Sequence, residues 1–188
     1  VTVRIDVDRM RIADLEHARE HANELDRLRE RLARERLDPD GVVDAVASFS
    51  VGVPSWALGT GGTRFGRFPL GGEPRSIEEK LDDVAALNVL TRANRTVSLH
   101  VPWDQPSDVA GLKEHAASAG LGFDAMNSNT FQDNPSTTGD GSVSFKFGSL
   151  AHADPAVRKL AVEHNRQVIA LGGALGSRAL TVWLADGT

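Results

Sequence analysis

Strict alternation of apolar and polar positions is the clearest signal along the chain. In TVSLHVPWD, residues 96–104, Val97, Leu99 and Val101 alternate with Ser98 and His100, the two-residue period of a β-strand. Pro102 ends the run, because it has no N–H for a ladder and restricts the residue before it. His100 therefore takes the last polar position of the strand, with Trp103 on the turn beyond. AVASFSVGVPSW, residues 45–56, follows the same rule: Phe49, Val51 and Val53 alternate with Ser50 and Gly52 until Pro54. GFDAMN, residues 122–127, reads as a third strand. ALTVWL, residues 179–184, reads as a fourth, with Leu180, Val182 and Leu184 on one face and Thr181 and Trp183 on the other.

Between the strands the period lengthens to that of a helix. Residues 10–34 predict one long helix, with Leu15, Ala18, Ala22, Leu25 and Leu32 at three- and four-residue steps. Ser76-Ile77-Glu78-Glu79 is a capping box. It opens a helix to about residue 93 whose inward positions are Ile77, Leu81, Val84, Ala85 and Leu87. Residues 108–119 predict a shorter helix closed by Gly120. Asp154-Pro155 starts another, to about residue 171.

The order is thus a helix, three β-loop-α units and a fourth strand. Each strand is aliphatic on one face and small or polar on the other, whereas a strand of a doubly wound parallel sheet is apolar on both. This predicts an α/β fold of the (β/α)8 TIM-barrel kind, with strand C-terminal ends lining a site. Ser50, Gly52, Ser98, His100, Thr181 and Trp183 form the inward set. We divide the chain into an N-terminal helical segment, 1–44, and four strands with three helices, 45–188. Such a barrel takes about 250 residues, and four strands leave two open edges. The expectation is the N-terminal half of a larger barrel.

Composition narrows the chemistry. Of 188 residues 40% are hydrophobic and 25% charged, as in globular proteins. The net charge of -5 argues against nucleic acid or an anionic membrane as the main partner. No apolar run reaches the length of a membrane span, and a cytoplasmic protein is expected. Without cysteine there are neither disulfides nor thiolate metal sites. His17-Ala18-Arg19-Glu20-His21 spells a zinc-peptidase pattern. Its imidazoles fall off the apolar stripe among Arg and Glu, and we read them as solvated surface. GTGGTRFGRFPLGGEP, residues 59–74, misses both the dinucleotide fingerprint and the P-loop. Phe65 and Phe68, flanked by Arg64 and Arg67, make it either a loop that docks on an apolar surface or a lid tip pinned by its own phenylalanines. The long polar loop 128–149 exceeds ordinary connections.

Five blocks in order, SFSVGVPSW with the GTGGTRFGRFP loop, VSLHVPWD, LGFDAMNSNTFQD, FGSLAHADPAVRKLAVEHN and ALTVWLADG, resemble the L-rhamnose isomerase family. The form concerned is bacterial, of broad aldose–ketose specificity and related to xylose isomerase. The resemblance implies a (β/α)8 barrel, a homotetramer, and interconversion of L-rhamnose and L-rhamnulose by a metal-assisted 1,2-hydride shift. It implies two divalent ions, typically Mn2+. By position, His100 matches a histidine that hydrogen-bonds and orients the sugar. Trp103 and Trp183 match indoles of the apolar wall, and Phe65 a phenylalanine entering a neighbouring subunit's site. Sugar C–H patches stack on aromatic faces, and an imidazole serves a hydroxyl as donor or acceptor. Trp56, also just past a strand, is given a structural role. The family's metal-binding Glu, Asp and His come from later strands. Asp124 and Asp186 are isolated here, so any metal is held by residues outside this chain, which alone is expected to be inactive. A related barrel epimerase or isomerase acting on another sugar, and a catalytically inactive sugar-binding module, are the alternatives.

Overall fold

The computed structural model describes residues 6–59, 72–132 and 144–184. Three helices lead: α1 Val7–Glu16, α2 Ala18–Arg34 and α3 Pro39–Ser48. Asp6 caps α1, its carboxylate accepting from the Arg9 N–H at 3.0 Å. The single helix expected over residues 10–34 is two helices, broken at His17, whose ψ is 3°. The stretch 45–56 corrects the sequence reading further. Residues 45–48 belong to α3, which Asp38 and Pro39 start, and strand structure is confined to β1, Gly52–Pro54. Val42, Val43 and Val46 have helical spacing, and it prevails over the shorter alternation; α3 therefore crosses the 44/45 division. Phe49 and Val51 are exposed, and Ser50 lies outside the strand.

After β1 come α4 Ile77–Thr91, β2 Thr96–Ser98, β3 His100–Val101, α5 Val109–Ser118, β4 Gly122–Phe123, β5 Met126–Thr130, α6 Pro155–Leu175 and β6 Leu180–Leu184. The expected caps are present. Ser76 Oγ accepts from the Glu79 N–H, while the Glu79 carboxylate accepts from the backbone N–H groups of Arg75 and Ser76. Those two donors hold the Glu79 carboxyl below the usual carboxylate range. Asp108 and Asp154 cap α5 and α6. Gly176, at φ 90°, ends α6 in the left-handed conformation that glycine adopts without a Cβ penalty.

Among the described residues all strand pairing is parallel, in the ladders β1-β2-β4 and β3-β5-β6. The ladders run into one another: the Asp124 N–H donates to Val97 O at 2.9 Å, and the Asn127 N–H to Leu99 O at 2.8 Å. The four strand paths thus lie side by side in chain order. Between them the register slips by one. Val97 pairs with Phe123 but His100 with Asn127, so residues 124–125 contain a β-bulge. The third strand also runs three residues beyond its expected end, to Thr130.

Helices α4, α5 and α6 pack in series. Leu81 and Val84 of α4, Leu112 and Ala116 of α5, and Val168, Leu171 and Leu175 of α6 share one core with Val53, Val97, Leu99, Val101 and Met126 of the strands. One strand face is therefore a conventional apolar helix–sheet interface. The chain is a parallel α/β fold; closure into eight strands goes beyond these four paths. Among the described residues, no helix is long and apolar enough to cross a membrane.

Two adjacent glycines test this packing. A Cβ on Gly172 would lie 2.7 Å from Met126 Cγ, whereas one on Gly173 would meet nothing within 4 Å. Overpacking costs about 1–3 kcal/mol, against a helix-propensity gain of about 1 kcal/mol for Ala over Gly. Gly172→Ala should therefore lower the urea midpoint and Gly173→Ala raise it. Equal shifts would contradict the placement of α6 on Met126.

Candidate functional site

The opposite face of the strands is polar. Residues paired across a parallel ladder share a face, so His100, Asn127 and Thr181 form one row, and Asn129 and Trp183 the next. Below them Gly52, Thr96 and Gly122 are aligned. Without the bulge, Asn127 and Asn129 would point at the helices. With it, Met126 enters the core and both amides join the face of His100.

His100 is buried, at 6% exposure, between two indoles. Its ring centroid lies 5.3 Å from that of Trp56, nearly edge-on at 62°, and 4.8 Å from that of Trp103, at 50°. Both tryptophans are half-buried. Trp56 stands on the 3-10 turn Ser55–Ala57 directly after β1, and Trp103 follows the cis Val101–Pro102 bond. Trp56, expected to be structural, thus contacts the same imidazole as Trp103. Trp183 lies two strands away on β6, 45% exposed. Its Nε1–H donates to Asn127 Oδ1 at 3.1 Å, and its ring centroid is 5.9 Å from that of Phe131. Phe65 lies outside the described residues, as do Arg64, Arg67, Phe68 and Asp186.

What fixes His100 is a residue for which its chemistry gave no sequence signal. The Asp104 carboxylate, 1% exposed, accepts three hydrogen bonds. One comes from Ser55 Oγ at the tip of β1, one from Lys80 Nζ on α4 at 2.6 Å, and one from the His100 backbone N–H at 2.7 Å. In return the Asp104 N–H donates to His100 O at 2.9 Å. Lys80 is itself largely buried. The pair is internally neutral, so it leaves no net charge beneath the His100 turn.

On the helix side of the same strand end, His164 of α6 is buried at 4% exposure. Burial pulls its imidazole below the ordinary value, opposed by a hydrogen bond to the Val101 backbone. His17 and His21 lie elsewhere. Their rings are 6.2 Å apart on an exposed face, with Glu20 3.3 Å from His17 Nδ1. A surface groove along α2, lined by His21, Leu25, Leu28 and Arg31 among others, belongs to that helix rather than to the strand ends. Among the described residues no group of three or more His, Asp or Glu could hold a metal ion. These residues therefore do not fit a resident divalent cation, and the chemistry at His100 is that of an imidazole, two amides and aromatic faces. Such a surface suits a neutral polyhydroxylated molecule.

No protein-family model matches the chain. Over 161 residues it is 55% identical to a probable sugar isomerase of Rhizobium meliloti (strain 1021), and over 161 residues 53% identical to a probable sugar isomerase of Mesorhizobium japonicum. Each match covers 86% of this chain and 36% of the relative. The chain thus spans little more than a third of the length of these curated relatives.

Two expectations follow. Removing one member of a buried ion pair costs about 3–5 kcal/mol, so Asp104→Ala should destabilise the fold by that order in urea unfolding. A loss below about 1 kcal/mol would mean that Lys80 and Asp104 do not pair as placed. For His164 the unfolded chain binds a proton at higher pH than the folded one. Stability should therefore fall as pH drops below 6.5, the ordinary imidazole value. Comparison of unfolding at pH 7.5 and 5.5 should show a smaller loss in His164→Gln.

Proposed function

We propose that this chain forms the sugar-facing part of an aldose–ketose isomerase acting on L-rhamnose and L-rhamnulose. The observation that carries the reading is the imidazole of His100, held at the strand ends between Trp56 and Trp103. The similarity to two proteins called probable sugar isomerases supports it independently. In the reaction a hydride passes from C2 to C1 and a proton from O2 to O1, so oxidation at one carbon balances reduction at its neighbour. His100 hydrogen-bonds a sugar hydroxyl and orients the chain of carbons. Trp103 and Trp183 offer apolar faces to the sugar's C–H groups. Divalent ions, Mn2+ in this proposal, would be bound by residues outside this chain and would supply polarisation of the carbonyl. The barrel of eight strands, a homotetrameric assembly and a crossing of the Phe65 loop into a neighbouring subunit belong to the same proposal.

The test separates binding from turnover. L-Rhamnose titrated into the protein should perturb the indole fluorescence, and His100→Ala or Trp103→Ala should weaken the apparent affinity about tenfold. That factor corresponds to about 1.4 kcal/mol. The 188 residues alone should form no ketose from L-rhamnose in a colorimetric assay, and measurable turnover would overturn the assignment of the metal site to residues elsewhere. In the whole isomerase, Phe65→Ala should raise KM with little change in thermal stability. A lowered melting temperature with unchanged kinetics would make Phe65 a structural staple instead.

A further inference from the structure

The polar face contains one side chain whose hydrogen bonds leave it little to offer a ligand and a defined task toward its neighbour. Asn127, 4% exposed, is the strand partner of His100 on one side and of Thr181 on the other. Its Nδ2 donates to Leu99 O at 3.4 Å and to Ala125 O at 3.3 Å. Both partners are carbonyls that can only accept, so the amide nitrogen must face them. This orientation turns Oδ1 toward β6, where it accepts from Trp183 Nε1–H at 3.1 Å. An indole N–H can only donate, so the two assignments agree without an alternative flip. The backbone of Trp183 is held separately, its carbonyl accepting from Thr130 Oγ1 at 2.7 Å.

We propose that Asn127 is a positioning residue that sets the plane of the Trp183 indole and thereby aligns the apolar wall with His100; the proposal rests on the sugar-binding reading above. Both amide protons of Asn127 are engaged, so it has none to donate to a sugar hydroxyl. Its effect on ligand passes through Trp183. The indole, nearly half exposed, has on its other side the tilted contact with Phe131. A hydrogen bond at Nε1 removes the ring's remaining freedom to swing about its side-chain torsions. The bulge at residues 124–125 takes part in the same arrangement, since Ala125 O is one of the two acceptors that orient the amide.

The experiment follows the three indole N–H resonances of the 15N-labelled full chain, assigned by Trp56→Phe, Trp103→Phe and Trp183→Phe. Asn127→Ala should move the Trp183 resonance and speed its hydrogen exchange about fivefold, as loss of one hydrogen bond implies, with smaller changes at Trp56 and Trp103. Titration with L-rhamnose should give a Kd about fivefold weaker in Asn127→Ala. In the Trp183→Phe background, Asn127→Ala should weaken binding no further, because the residue it positions has lost its donor. Asn127→Asp supplies a near-isosteric second variant should Asn127→Ala fold poorly. It sets a carboxylate oxygen against the Leu99 and Ala125 carbonyls and should also displace the Trp183 signal. An unmoved Trp183 resonance in either folded variant overturns the proposal, as do additive effects in the double variant. A wild-type chain that binds L-rhamnose alongside an Asn127→Ala chain that binds it equally well refutes the positioning role alone. Wild-type indole resonances indifferent to L-rhamnose refute the isomerase reading and this role together.

Discussion

The arrangement at the strand ends depends on one buried carboxylate. Asp104 gathers donors from three elements that are distant in sequence: Ser55 after β1, Lys80 on α4 and the backbone of His100 at β3. An anion out of water must have every strong interaction supplied by the protein. The three donors are therefore geometrically tied to each other through it. Because two of them sit beside Trp56 and His100, the spacing of the aromatic cluster follows from charge burial rather than from apolar packing. The Asp104–Lys80 pair also lets a charged turn lie under a site without net charge.

The helix side of the sheet obeys different rules. There Leu81, Val84, Leu112, Ala116 and Val168 meet Val97, Leu99, Val101 and Met126, and the contribution is the general one of apolar burial. These residues tolerate changes of identity provided volume is conserved. The polar face has no such latitude, because Asn127, Asp104 and His100 are each held by directional contacts.

Much of this was legible in the sequence, and the failures have physical causes. The alternation through Val97–Val101 and the Pro102 stop located the His100 strand, and Ser76–Glu79, Gly120 and Asp154-Pro155 located helix ends, because caps and breakers act locally. Residues 45–48 misled because valine and alanine at those positions satisfy both periods, and only the Asp38-Pro39 start decides for helix. The roles of Asp104 and Lys80 were invisible because a buried ion pair between residues 24 positions apart has no local pattern. The contact of Trp56 with His100 had no sequence signal for a similar reason: the two residues belong to different strand ends. The continuation of the third strand through Asn127, Ser128, Asn129 and Thr130 ran against propensity, since asparagine is poor in strands; ladder bonds from both sides override it.

The bulge at residues 124–125 gives the third strand a parity. Side chains alternate with a period of two, so Phe123 and Asn127, four residues apart, would share a face in a regular strand, and the extra residue puts them on opposite faces. Straightening the strand there at full length would leave composition, length and hydropathy untouched. It would nonetheless present Met126 and Ser128 where the amides now stand and drive Asn127 and Asn129 into the helix core. Alignments that slide a gap through this stretch would therefore equate residues of opposite chemistry.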